Sequence, residues 1–492
     1  MEKESSSKKI KSSNLINQFI MERTNAADSI MHFRFDKKRV RILTSIEEVA
    51  EKCKGIVYWM FRDVRVQDNW AFLFAQKVAN KNSVPLHVCF CILPTFLNST
   101  MRHYKFLLKG LMEVDAECKQ LNINFHLLHG EPNQAILDFV QKYKMGAVIT
   151  DFFPLRLPLF WLNDLKKKLP DNIPLCQVDA HNIVPCWITS EKLEYSARTI
   201  RNKINSRLED YLTQFPPVTK HSFLTNQKFK KNDWENALRK LDIEESVKEV
   251  PWTIPGYNGG ILELQSFLDN RLAHFHTMRN NPLSNATSNL SPWFHFGMIS
   301  VQRCILEVLK YKQMYKESVE TFMEEAIVRR ELSDNFCFNN EKYDAVEGAN
   351  QWAIDTLNQH RSDKREYIYN LNELEHSLTH DDLWNSSQIQ LVQEGKMHGF
   401  LRMYWAKKIL EWTHDPEEAL KWAIYLNDKY SIDGCDPNGY VGCMWSICGI
   451  HDQGWKERNV FGKIRYMNYK GCERKFDVKE FVKMWGGKVY NK

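Results

Sequence analysis

The sequence has no apolar stretch able to cross a bilayer. Its longest candidate, Val84 to Leu97, is interrupted by Pro85, His87 and Pro94 and falls short of the roughly 18 residues a spanning helix needs. No membrane association is expected. Met1 to Ser13 is rich in Lys, Ser and Glu and has no apolar centre, which argues against a secretory signal. The twelve cysteines show no Cys-x-x-Cys pairing, so reduced thiols in a nuclear or cytosolic compartment are expected in place of a disulfide framework or a metal site. There is no Gly-x-Gly-x-x-Gly after a strand and no His-Glu-x-x-His. The nearest approach to a phosphate loop, Gly449 to Gly454, runs into Trp455, where that loop needs Lys-Ser/Thr. Rossmann-type dinucleotide binding, zinc hydrolysis and P-loop chemistry are thereby set aside. No internal repeat is present.

What is there begins with size: 492 residues, 43% hydrophobic and 12% aromatic, enough for two or three domains. The first half alternates short apolar runs with longer helical patterns. The runs are Gly55 to Phe61, Leu86 to Leu93, Ile123 to Leu128, Ala147 to Phe152 and Leu175 to Val178, and the helices include Asn69 to Asn80 and Tyr104 to Leu121. That alternation predicts β-α-β units on a parallel sheet. Beyond Ile261 helical periods dominate, as in Ile305 to Tyr311, Thr321 to Leu332 and Pro416 to Tyr425. The expected organisation is a disordered basic tail over 1–40 with Lys8, Lys9 and Lys11, a Rossmann-like α/β domain over 41–190, a polar connector over 191–250, and a large all-α domain over 251–492.

The richest stretch runs from Lys396 to Trp455. Trp405 and Trp412 lie seven apart on an uninterrupted helical pattern that also holds Arg402, Met403 and Tyr404. Two such residues share a face at roughly 10.5 Å along the axis, a feasible electron hop, although tryptophans at this spacing also pack cores. Asn427-Asp428 and Asp433-Gly434-Cys435-Asp436 follow, then Trp445. So many indoles beside a Gly/Asp-rich turn suggest a large aromatic redox cofactor. Thr287-Ser288-Asn289-Leu290-Ser291-Pro292 supplies hydroxyls and backbone amides before a helix predicted to start near Pro292. Such a segment suits a pyrophosphate, though Ser-Pro also caps ordinary helices.

Charge adds a partner. Residues 441–492 hold eleven Lys/Arg against five Asp/Glu, an excess equal to the +6 of the whole chain. The interleaved Trp455, Phe461, Tyr466 and Tyr469 could stack on bases, so the stretch reads either as a solvated face or as a phosphate-binding surface.

Several segments together resemble the class II cyclobutane pyrimidine dimer photolyases of the cryptochrome/photolyase superfamily. They are Arg65 to Trp70, Ser288 to Trp293, Arg329-Arg330-Glu331-Leu332-Ser333-Asp334-Asn335-Phe336-Cys337, and Lys396 to Trp455. The resemblance covers the chain from about Gly55 onward. It implies FAD, reduced in the active form, in the helical domain. Its diphosphate would lie on Thr287, Ser288, Asn289, Leu290 and Ser291, with Arg402 paired to an acid, Asp433 and Asp436 on the ring or ribose, and Asn427 at the redox-active nitrogen. It also implies a photoreduction chain from Trp405 through Trp384 to Trp412 as the surface end, with Tyr404 accessory.

For double-stranded DNA carrying the dimer, the resemblance implies Trp445 stacking on flipped pyrimidines, Met403 lining the pocket and Glu325 bonding base edges. Arg465 would enter the vacated space, and Arg329 and Arg458 would make further contacts. By residue spacing alone, Glu325 and Arg329 could equally be a helical ion pair. The implied activity is a light-dependent carbon–carbon lyase acting as a monomer in the nucleus, with a second, antenna chromophore of unspecified class in the α/β half. Two alternatives are a cryptochrome-like blue-light signalling flavoprotein, which usually carries a long extension where this sequence stops soon after Trp485, and a (6-4) photolyase, which would need a pocket histidine pair such as His398 and His451.

Overall fold

A computed structural model describes residues 15–490; the basic cluster at Lys8, Lys9 and Lys11 lies outside them. The apolar runs of the first half form six strands: β1 (Val40–Ile42), β2 (Ile56–Trp59), β3 (Leu86–Ile92), β4 (Asn124–His129), β5 (Val148–Asp151) and β6 (Leu175–Val178), in the order β1-β6-β5-β2-β3-β4. β2, β3, β5 and β6 are buried along their whole length, as expected of strands covered on both faces by crossover helices. Those helices are α2 (Trp70–Lys81), α3 (Met101–Gln120), α4 (Pro132–Tyr143) and α5 (Arg156–Lys168). Asn69 starts α2 by accepting hydrogen bonds from the Ala71 and Phe72 amides.

The sheet is not purely parallel. β1 pairs antiparallel to β6, with Arg41 opposite Gln177. Three residues with a central arginine give no readable alternation, so this edge strand escaped the sequence.

The expected disorder over 1–40 is also corrected for 15–40. A helix, α1 (15–26), docks on the body with Leu15, Phe19 and Arg23 buried, positions four apart that share one face. Arg23 grips Asp68 at 2.9 and 2.7 Å. Arg303 holds the same carboxylate at 3.1 and 3.0 Å and Glu22 at 2.7 Å. These partners are 45 to 281 residues distant in sequence, so composition near the N-terminus could not reveal them. Two buried guanidiniums hold the Asp68 carboxyl far below the usual carboxylate range, outweighing the opposing effect of burial. Asp68→Asn should therefore destabilise the fold by about 3–5 kcal/mol, because it strands two buried charges. Denaturant unfolding checks this; a loss under about 1 kcal/mol, the value of a surface pair, would refute it.

The stretch 191–250 carries the helices Ala197–Asn205, Leu208–Tyr211 and Trp234–Arg239, and Ile200, Ile204, Tyr211 and Phe215 are buried in the core. Beyond it the chain is helical. Six helices frame the candidate site: α6 (Ser291–His295), α7 (Arg330–Asn339), α8 (Asp382–Glu394), α9 (Gly399–Trp412), α10 (Pro416–Tyr430) and α11 (Pro437–Cys448). α10 and α11 both begin with an aspartate cap followed by proline. α9 buries even Lys407 and Lys408, which makes it the central helix of the bundle. Among the described residues no helix is long and apolar enough to cross a membrane.

The two halves are joined by buried charge. Arg62, just past β2, donates to both oxygens of Asp334 on α7 at 2.7 and 2.9 Å. Gly297, at φ +60°, lets the helical half approach so closely that a Cβ there would stand 2.5 Å from the Asp63 Cα.

Candidate functional site

Two linked cavities lie in the helical half. The larger, of 830 Å³, is lined by His181, Ser288, Ser291, His295, Glu325, Arg330, Arg402, Asp433, Asp436, Asn438 and Gly439, among others. The smaller, of 430 Å³, shares Arg402, Asn438 and Gly439 and adds Trp405, Asn427, Gly442 and Cys443. Of the residues expected from the sequence, the structure thus gathers Ser288, Ser291, Glu325, Arg402, Asp433 and Asp436 around one space, and Arg402, Trp405 and Asn427 around its continuation.

Charge is arranged with care along the walls. Arg402 donates to Asp433 at 3.1 Å and to the Ser431 hydroxyl at 3.3 Å. Burial alone would raise the Asp433 carboxyl, but Arg402 and hydroxyls from Ser431 and Ser291 overcome it and leave it at about 2. Asp436 caps α11 through Asn438 N at 2.9 Å, while its other oxygen meets His295 Nδ1 at 3.0 Å and Arg62 at 3.9 Å. Those partners outweigh burial and hold it well below the ordinary carboxylate range.

The Thr287–Ser291 loop turns at Asn289, in the left-handed region at φ +59°. Thr287 Oγ1 donates to Asn289 Oδ1 at 2.9 Å, and Lys396 Nζ reaches Thr287 Oγ1 at 3.2 Å and also Asn289 Oδ1. Leu290 differs from its neighbours: its side chain is buried in the core, so it can offer only backbone.

On the far side Asn427 donates through Nδ2 to Asp428 Oδ1 at 3.0 Å. Asp428 also accepts from the Cys435 amide at 2.8 Å, and burial pushes its carboxyl up to about 6. Gly439 leaves room for this arrangement, since a Cβ there would meet Asn427 Nδ2 at 2.8 Å. Gly439→Ala should displace the Asn427 amide. The expected result is a loss of about 1–3 kcal/mol of stability from overpacking, read by denaturant unfolding. An unchanged midpoint would show that Asn427 yields at no cost.

From Trp405 a column of aromatic rings leads away. Trp384 of α8 stacks on it with centroids 6.4 Å apart and planes at 5°, and Trp412 follows at 5.7 Å and 67°. Trp384 donates through Nε1 to the Trp405 carbonyl at 3.0 Å, and Trp405 through Nε1 to Gln388 at 2.9 Å, which fixes both rings. One expectation fails: Trp412 is 2% exposed and is no surface terminus, because Tyr369 and His380 cover it at 5.5 and 5.1 Å. Tyr404 is also buried, with its hydroxyl bonded to Asp381.

The expected lesion residues divide. Glu325 sits on a π-helical turn, Glu324–Arg329, and lines the larger cavity with 44% of its side chain exposed, paired to Arg279 at 2.9 Å. The π register brings together residues five apart, so Arg329 pairs with Glu324 at 3.2 Å and the Glu325–Arg329 pair does not form. Met403 and Trp445 are half-buried; each stands three residues, one helical turn, from a wall residue of the smaller cavity, Ala406 and Gly442.

Arg458 and Arg465 lie in an exposed loop after α11, over Tyr466 at 5.0 Å and Trp455 at 4.9 Å. Phe461, expected to be available for stacking, is instead buried and anchors that loop. His398 and His451, the pair a (6-4) reading needs, line neither cavity; the wall histidines are His181 and His295.

Sequence reasoning missed His295, Arg330, Lys396 and Gly439. Arg330 was within reach as the neighbour of Arg329, but only the helical phase after the π turn shows which of the two faces inward. Lys396 and Gly439 carry no one-dimensional signal. A separate, mostly apolar cavity of 690 Å³ lies at the C-terminal ends of β2 and β3, lined by Phe61, Phe90, Leu93, Phe96, His103 and Tyr104 among others.

A mainly parallel sheet joined to a helical bundle is a two-part α/β and all-α architecture. The comparisons agree. A bacterial class III photolyase from Agrobacterium tumefaciens superposes with a TM-score of 0.72 at 18% identity, covering 90% of this chain and 88% of that one. A cryptochrome from Synechocystis superposes with a TM-score of 0.71 at 15% identity, covering 89% of each. The family profile described as DNA photolyase matches residues 56–220.

Among curated proteins, the deoxyribodipyrimidine photo-lyase of Potorous tridactylus is 58% identical over 93% of this chain and 86% of its own length. That of Arabidopsis thaliana is 50% identical over 90% and 92%. The chain belongs to the DNA photolyase family of the cryptochrome/photolyase superfamily.

Proposed function

We propose that this protein repairs cyclobutane pyrimidine dimers in DNA, using blue or near-ultraviolet light and FAD. The observation that carries the reading is the joining of two cavities at Arg402 and Gly439, with acid and hydroxyl groups along one and Asn427 beside the start of a tryptophan column in the other. The walls fit a dinucleotide. Arg330 is buried against the larger cavity with its Nη1 lacking any acceptor, and desolvation lowers the Lys396 ammonium to about 8. Both cations would gain from an anion such as a diphosphate. FAD, when bound and reduced, supplies the photoexcited electron that enters the dimer and returns once both ring-closing carbon–carbon bonds have broken.

The residues divide the remaining work. Thr287, Ser288, Asn289 and Ser291, with the Leu290 backbone and Lys396, hold the diphosphate. Arg402, Asp433 and Asp436 fix the polar edge of the cofactor, Arg402 being held by Asp433 and Asp436 by His295. Asn427 presents an uncharged amide at the ring, oriented by Asp428. Glu325 hydrogen-bonds the flipped bases, with Met403 and Trp445 at the mouth. Arg465 and Arg458, on the exposed basic loop, take the duplex backbone and the space the lesion leaves, since a damaged pair is cheaper to extrude than an intact one. The tryptophan column returns the cofactor to its reduced form. The apolar cavity beside β2 and β3 is the natural seat for an antenna chromophore.

The deciding experiment offers two duplexes, one with a cyclobutane dimer and one with a (6-4) photoproduct, to the illuminated reduced protein. Loss of the first lesion alone is expected. Loss of the second, or of neither, would defeat the proposal.

A further inference from the structure

The loop that carries Arg458 and Arg465 is exposed at its tip, yet it is tied down at its root. Between the two arginines Val460, Phe461 and Ile464 are buried, and polar contacts join the loop to one turn of chain, 356–363, at the end of the helix Gln351–Gln359. We infer that His360 is a positioning residue for damaged DNA: it clamps this loop through a carboxylate at each ring nitrogen and so sets the reach of Arg458 and Arg465.

The contacts are specific. His360 Nδ1 meets Asp363 Oδ2 at 2.6 Å, and Nε2 meets Glu457 Oε1 at 2.9 Å. Asp363 Oδ2 also accepts from the Val460 amide at 2.8 Å, and Thr356 Oγ1 accepts from the Lys463 amide at 3.0 Å. Val460 stands at φ +66°, a left-handed conformation that a β-branched residue keeps only where its surroundings enforce it. Asp363, oriented by His360, is what holds that amide. The loop backbone lies directly on the ring, since a Cβ added to Gly462 would stand 2.8 Å from His360 Cδ2. Arg458 and Gly462 exchange backbone hydrogen bonds at 2.9 and 2.7 Å, and the Trp455 amide donates to the Lys463 carbonyl at 2.8 Å. What fixes Val460 and Lys463 thus fixes the root of Arg458 and the indole under Arg465.

A ring between two carboxylates holds both only as the imidazolium, with two N–H donors; a neutral ring donates once and turns a lone pair on the other acid. The charged groups facing His360 are Asp363 from its own turn and Glu457 from the loop. Arg361 on the same turn is engaged by Glu417 at 2.6 Å, and Arg365 by the Arg361 and Asp363 carbonyls at 3.1 and 2.9 Å, so neither displaces His360 from the two acids. The hydrogen bond to Asp363, opposed by partial burial and helped by Glu457, raises the His360 imidazolium above its ordinary value. The clamp is therefore complete below the ordinary histidine value and is lost as pH rises through the raised one. Ordering the loop before DNA arrives spares part of the cost of immobilising two long side chains at a lesion. The inference deepens the proposed function and rests on it.

The test measures binding of the FAD-loaded full chain to one duplex, with and without a cyclobutane dimer, from about pH 6 to about pH 9. Wild type should prefer the damaged duplex and lose about tenfold of that preference across the range. His360→Gln, which cannot charge, should start about tenfold lower at the acid end and stay flat, with kcat under light at saturating DNA unchanged. His360→Arg, charged throughout, should keep the preference at the alkaline end. Independently of DNA and of any variant, hydrogen-exchange protection of residues 455–466 in wild type should fall about tenfold from the acid to the alkaline end, after correction for the intrinsic rate. Protection that does not change, or a preference in His360→Gln that matches wild type, overturns the inference while leaving the repair reading intact. Equal weakening of both duplexes with a shallower salt dependence also overturns it, by making His360 a direct phosphate contact. Wild type that binds both duplexes alike at every pH overturns the proposed function, and this inference with it.

Discussion

Replacing Trp384 by phenylalanine should all but abolish light-driven reduction of the oxidised protein while leaving repair by chemically pre-reduced protein in place. Trp405 and Trp412 sit on one helix, separated along its axis by roughly 10.5 Å. Trp384 enters from α8 and divides that gap into contacts of 6.4 and 5.7 Å. A phenyl ring neither fills the space nor accepts a hole as readily as an indole. Trp384 is fully buried and donates to the Trp405 carbonyl, so the variant also loses stability, and its melting temperature must be checked beside wild type. The measurement is flavin bleaching under blue light with excess thiol, set against dimer repair after dithionite reduction. Equal loss of both would show that Trp384 is structural and carries no electrons.

Arg402→Leu should be the most damaging single change to cofactor binding. Arg402 borders both cavities, and its guanidinium offsets the burial of Asp433. Removing it leaves a half-buried carboxylate without its cation, at a cost of about 1–3 kcal/mol, and takes a wall group from both cavities, which predicts a loss of flavin affinity of roughly tenfold to a hundredfold. The sign of the pH effect follows. With Arg402 present the Asp433 carboxyl titrates at about 2, below its unfolded value, so its contribution to stability is complete above the unfolded value and disappears only as pH falls through about 2. Without Arg402 only the Ser431 and Ser291 hydroxyls and His295 oppose burial, so the carboxyl rises and the stability it contributes at neutral pH shrinks. Adding Asp433→Asn should recover part of the loss by removing the stranded charge. Flavin occupancy and thermal unfolding of the single and double variants test this; no recovery in the double variant would mean that Arg402 acts on the cofactor alone.

Much of this was legible in one dimension. The alternation of apolar runs and helical periods announced the sheet and its crossovers, because strands buried on both faces must be nearly all apolar. Trp405 and Trp412 declared a shared helical face. What stayed hidden depends on partners far away in sequence. α1 reads as a polar tail until Asp68 and Arg303 receive Arg23 and Glu22. The inward turn of Arg330 needs the π register before it. Tyr369 and His380 lie in a stretch with no motif, and only the fold brings them against Trp412. The same holds for Lys396, a single lysine whose meaning comes from the Thr287 and Asn289 side chains that receive it.

The central claim is that light drives this chain to split cyclobutane dimers. The most direct measurement is dimer content in DNA incubated with the reduced protein, in parallel under blue light and in darkness. The account predicts loss of dimers in the light at a rate proportional to intensity, with intact pyrimidines recovered and no loss in the dark. Dimers that persist under light, or that disappear equally in darkness, would contradict it.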